Sequence, residues 1–174
     1  DTVKAEVREM TRDEAIILMV ESNLQRSVIL PSEKAFSYKM RLEAMKRQAG
    51  RPAQDNYSPL GNNSFGTKSS DEMAAEVGES KNTIFRYIRL TELIPELLDL
   101  VDEGRIAFRP AVELSYLQKE EQRALLEQIA YADATPSLAQ AIKLKRFSQD
   151  GKLNNEVIES IMSEEKPNQR EKIN

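Results

Sequence analysis

The chain has 174 residues, of which 40% are hydrophobic, and a formal net charge of −4, enough apolar material for one medium domain or two small ones. It contains no cysteine and no histidine, which excludes disulfides, thiolate nucleophiles, tetrahedral zinc sites and imidazole acid–base catalysis. No window nears the roughly 18 consecutive apolar residues of a membrane span, and the first residues show no basic segment leading into an apolar core, so a soluble, cytoplasmic chain with no membrane contact is expected.

The acidic average argues against a nucleic-acid partner, but the charge is uneven. Lys39, Arg41, Lys46, Arg47 and Arg51 form one basic cluster, Lys81, Arg86 and Arg89 a second, and Lys143, Lys145 and Arg146 a third.

In chain order, Val3, Ala5 and Val7 alternate with charged residues, which predicts a strand over residues 1–10. Thr11 opens T-R-D-E, a capping box that predicts a helix over residues 12–23. Its AIILMV run is apolar all round and predicts burial. PSEKAFSYKMRLEAMKRQAG predicts a second helix, capped by Ser32 and stopped by Gly50, with an apolar stripe at Ala35, Tyr38, Leu42, Met45 and Ala49. The following stretch, with Pro52, Pro59, Gly61 and Gly66 among many Asn and Ser, predicts a mobile loop. Short helices are then expected over 71–77, 81–91, 95–103, 110–116, 119–132, 136–149 and 155–164. Pro95, Pro110 and Pro136 are expected at first helical positions, and Gly104 and Gly151 at helix stops. The tail from residue 163 has no apolar pattern and is expected to fray.

Two segments carry chemistry. DEMAAEVGESKNTIFRYIRL has helix-turn-helix spacing: small Ala74 where helices cross, Gly78 at the turn, and Val77, Ile84 and Ile88 where the pair must be buried. Ser80 would cap the second helix, whose exposed side offers Lys81, Asn82, Thr83, Arg86 and Arg89. The first residues of such a helix face base edges in the major groove, while Ser80 and Arg89 suit phosphate. The same spacing also fits an ordinary helical hairpin with a solvated face. The polar run in MVESNLQR admits three readings from its residues: a helix C-terminus, a carboxylate catalytic site, or an anion site in which Arg26 offers a planar fork, with Asn23 and Glu21 orienting it or holding hydrated magnesium.

The succession ESNLQR, LPSEKAFSYKM, EMAAEVGESKNTIFRYIRL and ELLDLVDEGRIAFRPAVELSYL resembles the ParB family of plasmid and chromosome partition proteins, in particular its mobile-element forms, from about residue 11 to residue 174. The resemblance implies a mainly α fold: a helical bundle with a helix-turn-helix DNA-binding domain, preceded by the last strand and helices of an N-terminal α/β domain. It divides the chain into residues 1–50, the end of a nucleotide-binding domain; 51–68, a linker; 69–134, the helix-turn-helix domain; and 135–174, C-terminal helices and tail. By position, Asn23 and Arg26 match residues implied to serve the metal and triphosphate of CTP. Ser22 stands where the family usually has Glu, and no upstream G-E-R-R phosphate motif is present. Arg109-Pro110 replaces the family's usual Gly-His, and the chain reads as the middle of a longer protein.

The resemblance thus implies a sequence-specific binder of double-stranded DNA at a centromere-like, parS-type site, working with a ParA-type ATPase; the long loop before residue 70 permits helix exchange, so a homodimer is expected. No cofactor is expected in this fragment, with CTP and magnesium reserved for the full-length protein. Two alternatives remain at this stage: a CTP-dependent clamp, CTPase or nuclease in the full-length protein, which the absent histidine and partial pocket disfavour here, and a transcriptional regulator of a mobile element.

Overall fold

The computed structural model describes residues 7–24, 26, 28–48 and 67–164. Among them are nine helices and no strand. The predicted strand falls mainly on residues 1–6, outside the described residues, and Val7 to Met10 take no regular structure. The chain divides into two compact units, one of residues 1–29 and 36–85, the other of residues 30–35 and 86–174.

The first unit begins with α1 (Arg12–Leu24). As the T-R-D-E pattern requires, the Thr11 backbone N–H donates to Glu14 Oε2 at 2.7 Å and the Glu14 N–H donates to Thr11 Oγ1 at 3.3 Å. The Thr11 N–H foremost, and then the Thr11 hydroxyl donating to the same carboxylate oxygen at 2.9 Å, hold the Glu14 carboxyl below its ordinary value of 4.5. A lowered folded-state pKa means that the cap's contribution is complete above 4.5 and disappears as pH falls through the lowered value. Thr11→Ala removes the hydroxyl and keeps the backbone N–H, so it is expected to raise the Glu14 titration only part of the way to its ordinary position, read from its side-chain carboxyl resonance.

The expectation that α1 is buried all round is overturned. Only Val20 is fully buried, while Leu18 and Met19 are each 47% exposed. Successive side chains advance about 100° around a helix, so six apolar residues in a row encircle it, whereas packing from one side covers only a stripe. Helix α2 (Pro31–Gln48) starts two residues earlier than a Ser32 cap would allow. Pro31 takes the first helical position, where its missing N–H is no loss, and the Leu30 N–H donates to Glu33 Oε2 at 3.0 Å. Along the expected stripe, Ala35, Tyr38 and Leu42 are buried, joined by Ala44; Met45 is half-buried, and Ala49 lies outside the described residues. Helix α3 (Thr67–Val77) begins four residues before its expected start and buries Met73.

Helix α4 (Lys81–Leu90) runs from the first unit into the second, which continues with α5 (Pro95–Asp102), α6 (Phe108–Leu114), α7 (Lys119–Ala132), α8 (Leu138–Gln149) and α9 (Asn155–Met162). Its core gathers Leu97, Leu114, Leu125, Ile129, Leu144 and Ile158, all at most 2% exposed, each worth about 1.5–3 kcal/mol relative to exposure. Helix α6 packs on α8, and α7 on α9. Pro95 occupies the first position of α5 as expected, and Gly104 and Gly151 follow their helices with positive φ. Pro110 and Pro136 do not begin helices. Pro110 is the third residue of α6, still within the turn whose N–H groups lack intrahelical acceptors. Pro136 precedes the Ser137 cap of α8, whose Oγ accepts the Gln140 N–H at 3.3 Å.

Two buried amides join the helices of this unit. Gln122 is fully buried: its Oε1 accepts the Ile94 N–H at 2.8 Å, and its Nε2 donates to Leu117 O at 3.0 Å and Glu92 O at 3.2 Å. The Gln140 Nε2 donates to Ile161 O at 2.9 Å, satisfying a carbonyl at the end of α9. Ser32, displaced from its expected cap, donates its N–H to Asp102 Oδ1 at 2.9 Å and its hydroxyl to the other carboxylate oxygen.

Candidate nucleic-acid interface

Helix α3 ends at Val77, and the chain reverses through Gly78 at φ +67°, where the Glu79 N–H donates to Ala74 O at 3.2 Å. A left-handed residue is what this turn needs, and glycine takes it without a Cβ penalty. A Cβ there would meet nothing within 4 Å, so Gly78→Ala is expected to cost only backbone strain, about 1–2 kcal/mol, measured by urea denaturation.

Ser80 caps α4: its Oγ accepts the Thr83 N–H at 3.1 Å and lies 2.8 Å from Thr83 Oγ1. Both hydroxyls are thereby engaged with each other. Ile84 and Ile88 are buried, which fixes the rotation of the helix and turns the opposite side outward. On that side stand Asn82 and Arg86, both exposed and one turn apart, neither with a side-chain partner among the described residues. Lys81 Nζ lies 3.2 Å from Asp71 Oδ1, an ion pair whose carboxylate is 59% exposed and which contributes about 1 kcal/mol at most.

Arg89 departs from its expected role at phosphate. Its Nε donates to Ser115 Oγ at 3.1 Å and its Nη2 to Ser115 O at 2.8 Å, at the C-terminus of α6. The guanidinium also lies 4.1 Å from the centre of the Tyr116 ring, over which Lys145 Nζ sits at 3.9 Å. A cation held by helix-terminal carbonyls and an aromatic face is part of the fold.

Two arginines on the basic side of α2 are likewise engaged within the fold. Arg41 is 3% exposed and donates through Nη2 to Glu21 Oε1 at 2.9 Å and to Glu76 Oε2. Arg47 donates to Asp13 Oδ1 through Nε at 3.0 Å and Nη2 at 2.8 Å. Arg41 was legible only as a charge falling three residues after Tyr38, inside an otherwise apolar stripe.

Asn23 and Arg26 lie at the end of α1, both exposed, with the Arg26 backbone N–H donating to Asn23 O at 3.2 Å. Glu21 is committed to Arg41. Among the described residues no group of three or more Asp or Glu could hold a metal ion. A helix C-terminus, with its unpaired carbonyls, disfavours an anion, so these residues by themselves do not fit a metal-bound triphosphate.

Residues 62–141, which contain α3, the turn and α4, match the ParB HTH domain. The chain is also similar to the chromosome-partitioning protein Spo0J of Thermus thermophilus, 28% identical over 141 residues, which are 81% of the chain. The match spans 44% of the length of that relative. No described helix of the chain is long and apolar enough to cross a membrane.

Proposed function

We propose that this chain binds a specific double-stranded DNA sequence in a partition system, with α4 as the helix that enters the major groove. The observation that carries this reading is the pairing of Asn82 and Arg86 on one outward face of the helix that the ParB helix-turn-helix match contains. Asn suits the N6 and N7 edge of adenine, and Arg suits O6 and N7 of guanine. Lys81 stands beside them, able to exchange its exposed carboxylate partner for a phosphate. Helix α4 carries Lys81, Arg86 and Arg89 and no acidic residue, so its local field favours DNA although the whole chain is acidic.

The site is of centromere-like, parS type, the chain acts as a homodimer, and a ParA-type ATPase is its partner. The test is selection of bound duplexes from a random pool at fixed salt. The expected result is one enriched motif with two inverted half-sites, because a twofold-symmetric dimer reads a palindrome. Recovery of duplexes without a shared motif would overturn the reading. A single half-site would leave base recognition standing and remove the dimer.

A further inference from the structure

The reading of α4 as the DNA-contacting helix raises the question of what fixes the turn that precedes it, and the inference below rests on that reading. Among the described residues Arg41, in the middle of α2, is the one buried basic side chain, 4% exposed. Withdrawing a guanidinium from water costs several kcal/mol unless it is paired and hydrogen-bonded. Here two carboxylates from different helices meet the same nitrogen, Nη2: Glu21, three residues before the end of α1, and Glu76, the residue before the last of α3. Among the described residues the Arg41 Nε is buried with no hydrogen-bond partner, so the compensation they supply comes from those two carboxylates. Glu76 lies two residues before Gly78, where the chain turns toward α4.

We propose that Arg41 is a positioning residue for DNA recognition, holding the last turn of α3 through Glu76 and the end of α1 through Glu21. Both carboxylates are substantially exposed, 42% and 55%, so either can leave for water, whereas the buried guanidinium cannot. Loss of one carboxylate therefore throws the full demand of Arg41 onto the other. A change at the end of α1 is in this way transmitted to the turn before α4. All three residues belong to the first compact unit, so the linkage is internal to it.

The test uses the full 174-residue chain as Glu21→Gln, Glu76→Gln, the double variant and Arg41→Lys, with a duplex selected by the unaltered chain and a scrambled duplex at the same salt. Glu76→Gln is expected to weaken the selected duplex about tenfold, the scale of one charged hydrogen bond, and to leave the scrambled one unchanged. Glu21→Gln is expected to weaken the selected duplex as well, the double variant to differ from the product of the two single effects, and Arg41→Lys to retain most of the preference. Without DNA, Glu21→Gln is expected to shift the amide resonance of Gly78.

An unmoved Gly78 resonance overturns the linkage whatever the DNA measurements give. So does a parallel loss on both duplexes, or loss of cooperative melting in both single Gln variants, since a purely structural ion pair would produce either. If the unaltered chain selects no duplex while the Gly78 resonance does shift, the DNA reading fails and the linkage between α1 and α3 stands.

Discussion

A chain carrying Asn82→Ala and Arg86→Ala together is expected to lose about two to three orders of magnitude in affinity for its selected duplex, while binding a scrambled duplex nearly as before. Each bidentate contact to a base edge discriminates by about 1–3 kcal/mol, and each 1.4 kcal/mol is tenfold in the dissociation constant. Both side chains are exposed, with no side-chain partner among the described residues, so their removal leaves no buried group unsatisfied. Melting should therefore stay where it is. Non-specific binding should fall only by what one lost cation contributes, lowering the slope against log salt by about one unit. The measurement is a pair of titrations over a salt series. Equal losses on the two duplexes would reassign Arg86 to phosphate and remove base reading from this face.

Gln122→Leu is expected to have the largest effect on stability, about 2–5 kcal/mol in urea denaturation. The glutamine amide supplies one acceptor and two donors, and all three are in use: Ile94 N–H at the start of α5, and the carbonyls of Leu117 and Glu92. Leucine fills much of the volume and satisfies none of them, leaving the buried Ile94 N–H and Leu117 carbonyl without this partner, while the Glu92 carbonyl keeps Lys119 Nζ at 2.5 Å. Against a total stability of roughly 5–15 kcal/mol for a domain, that is a large fraction. A midpoint unchanged in urea would mean that water reaches these groups as soon as the amide is removed.

The helices were legible where a local device sets them. Thr11 with Glu14, Pro95 before α5, and Gly104 and Gly151 after their helices act within a few residues of the ends they define. Proline was an imprecise marker elsewhere, because any position in or just before the first turn tolerates a missing N–H; Pro110 and Pro136 occupy such positions, and Pro31 displaced Ser32 from its cap. The apolar run in α1 showed what could be buried, not how much of its circumference a neighbour would cover. For the candidate site, the spacing of Asn82 and Arg86 on one face was readable from helical periodicity. The commitments of Arg89 and Arg41 were not, since Ser115 lies 26 residues from Arg89, and Glu21 and Glu76 lie 20 and 35 residues from Arg41. Sequence pattern reports which cations exist; the fold decides which of them remain available.

Helix α4 has ten residues, five in each compact unit. A segment of five residues gains too few hydrogen bonds to offset helix nucleation, and even ten are marginal in water without packing. The spacing of Asn82 and Arg86 thus depends on the whole of α4 being formed. A proteolytic cut or a helix-breaking substitution within α4 is therefore expected to abolish recognition, which makes DNA affinity a report on the integrity of that one helix.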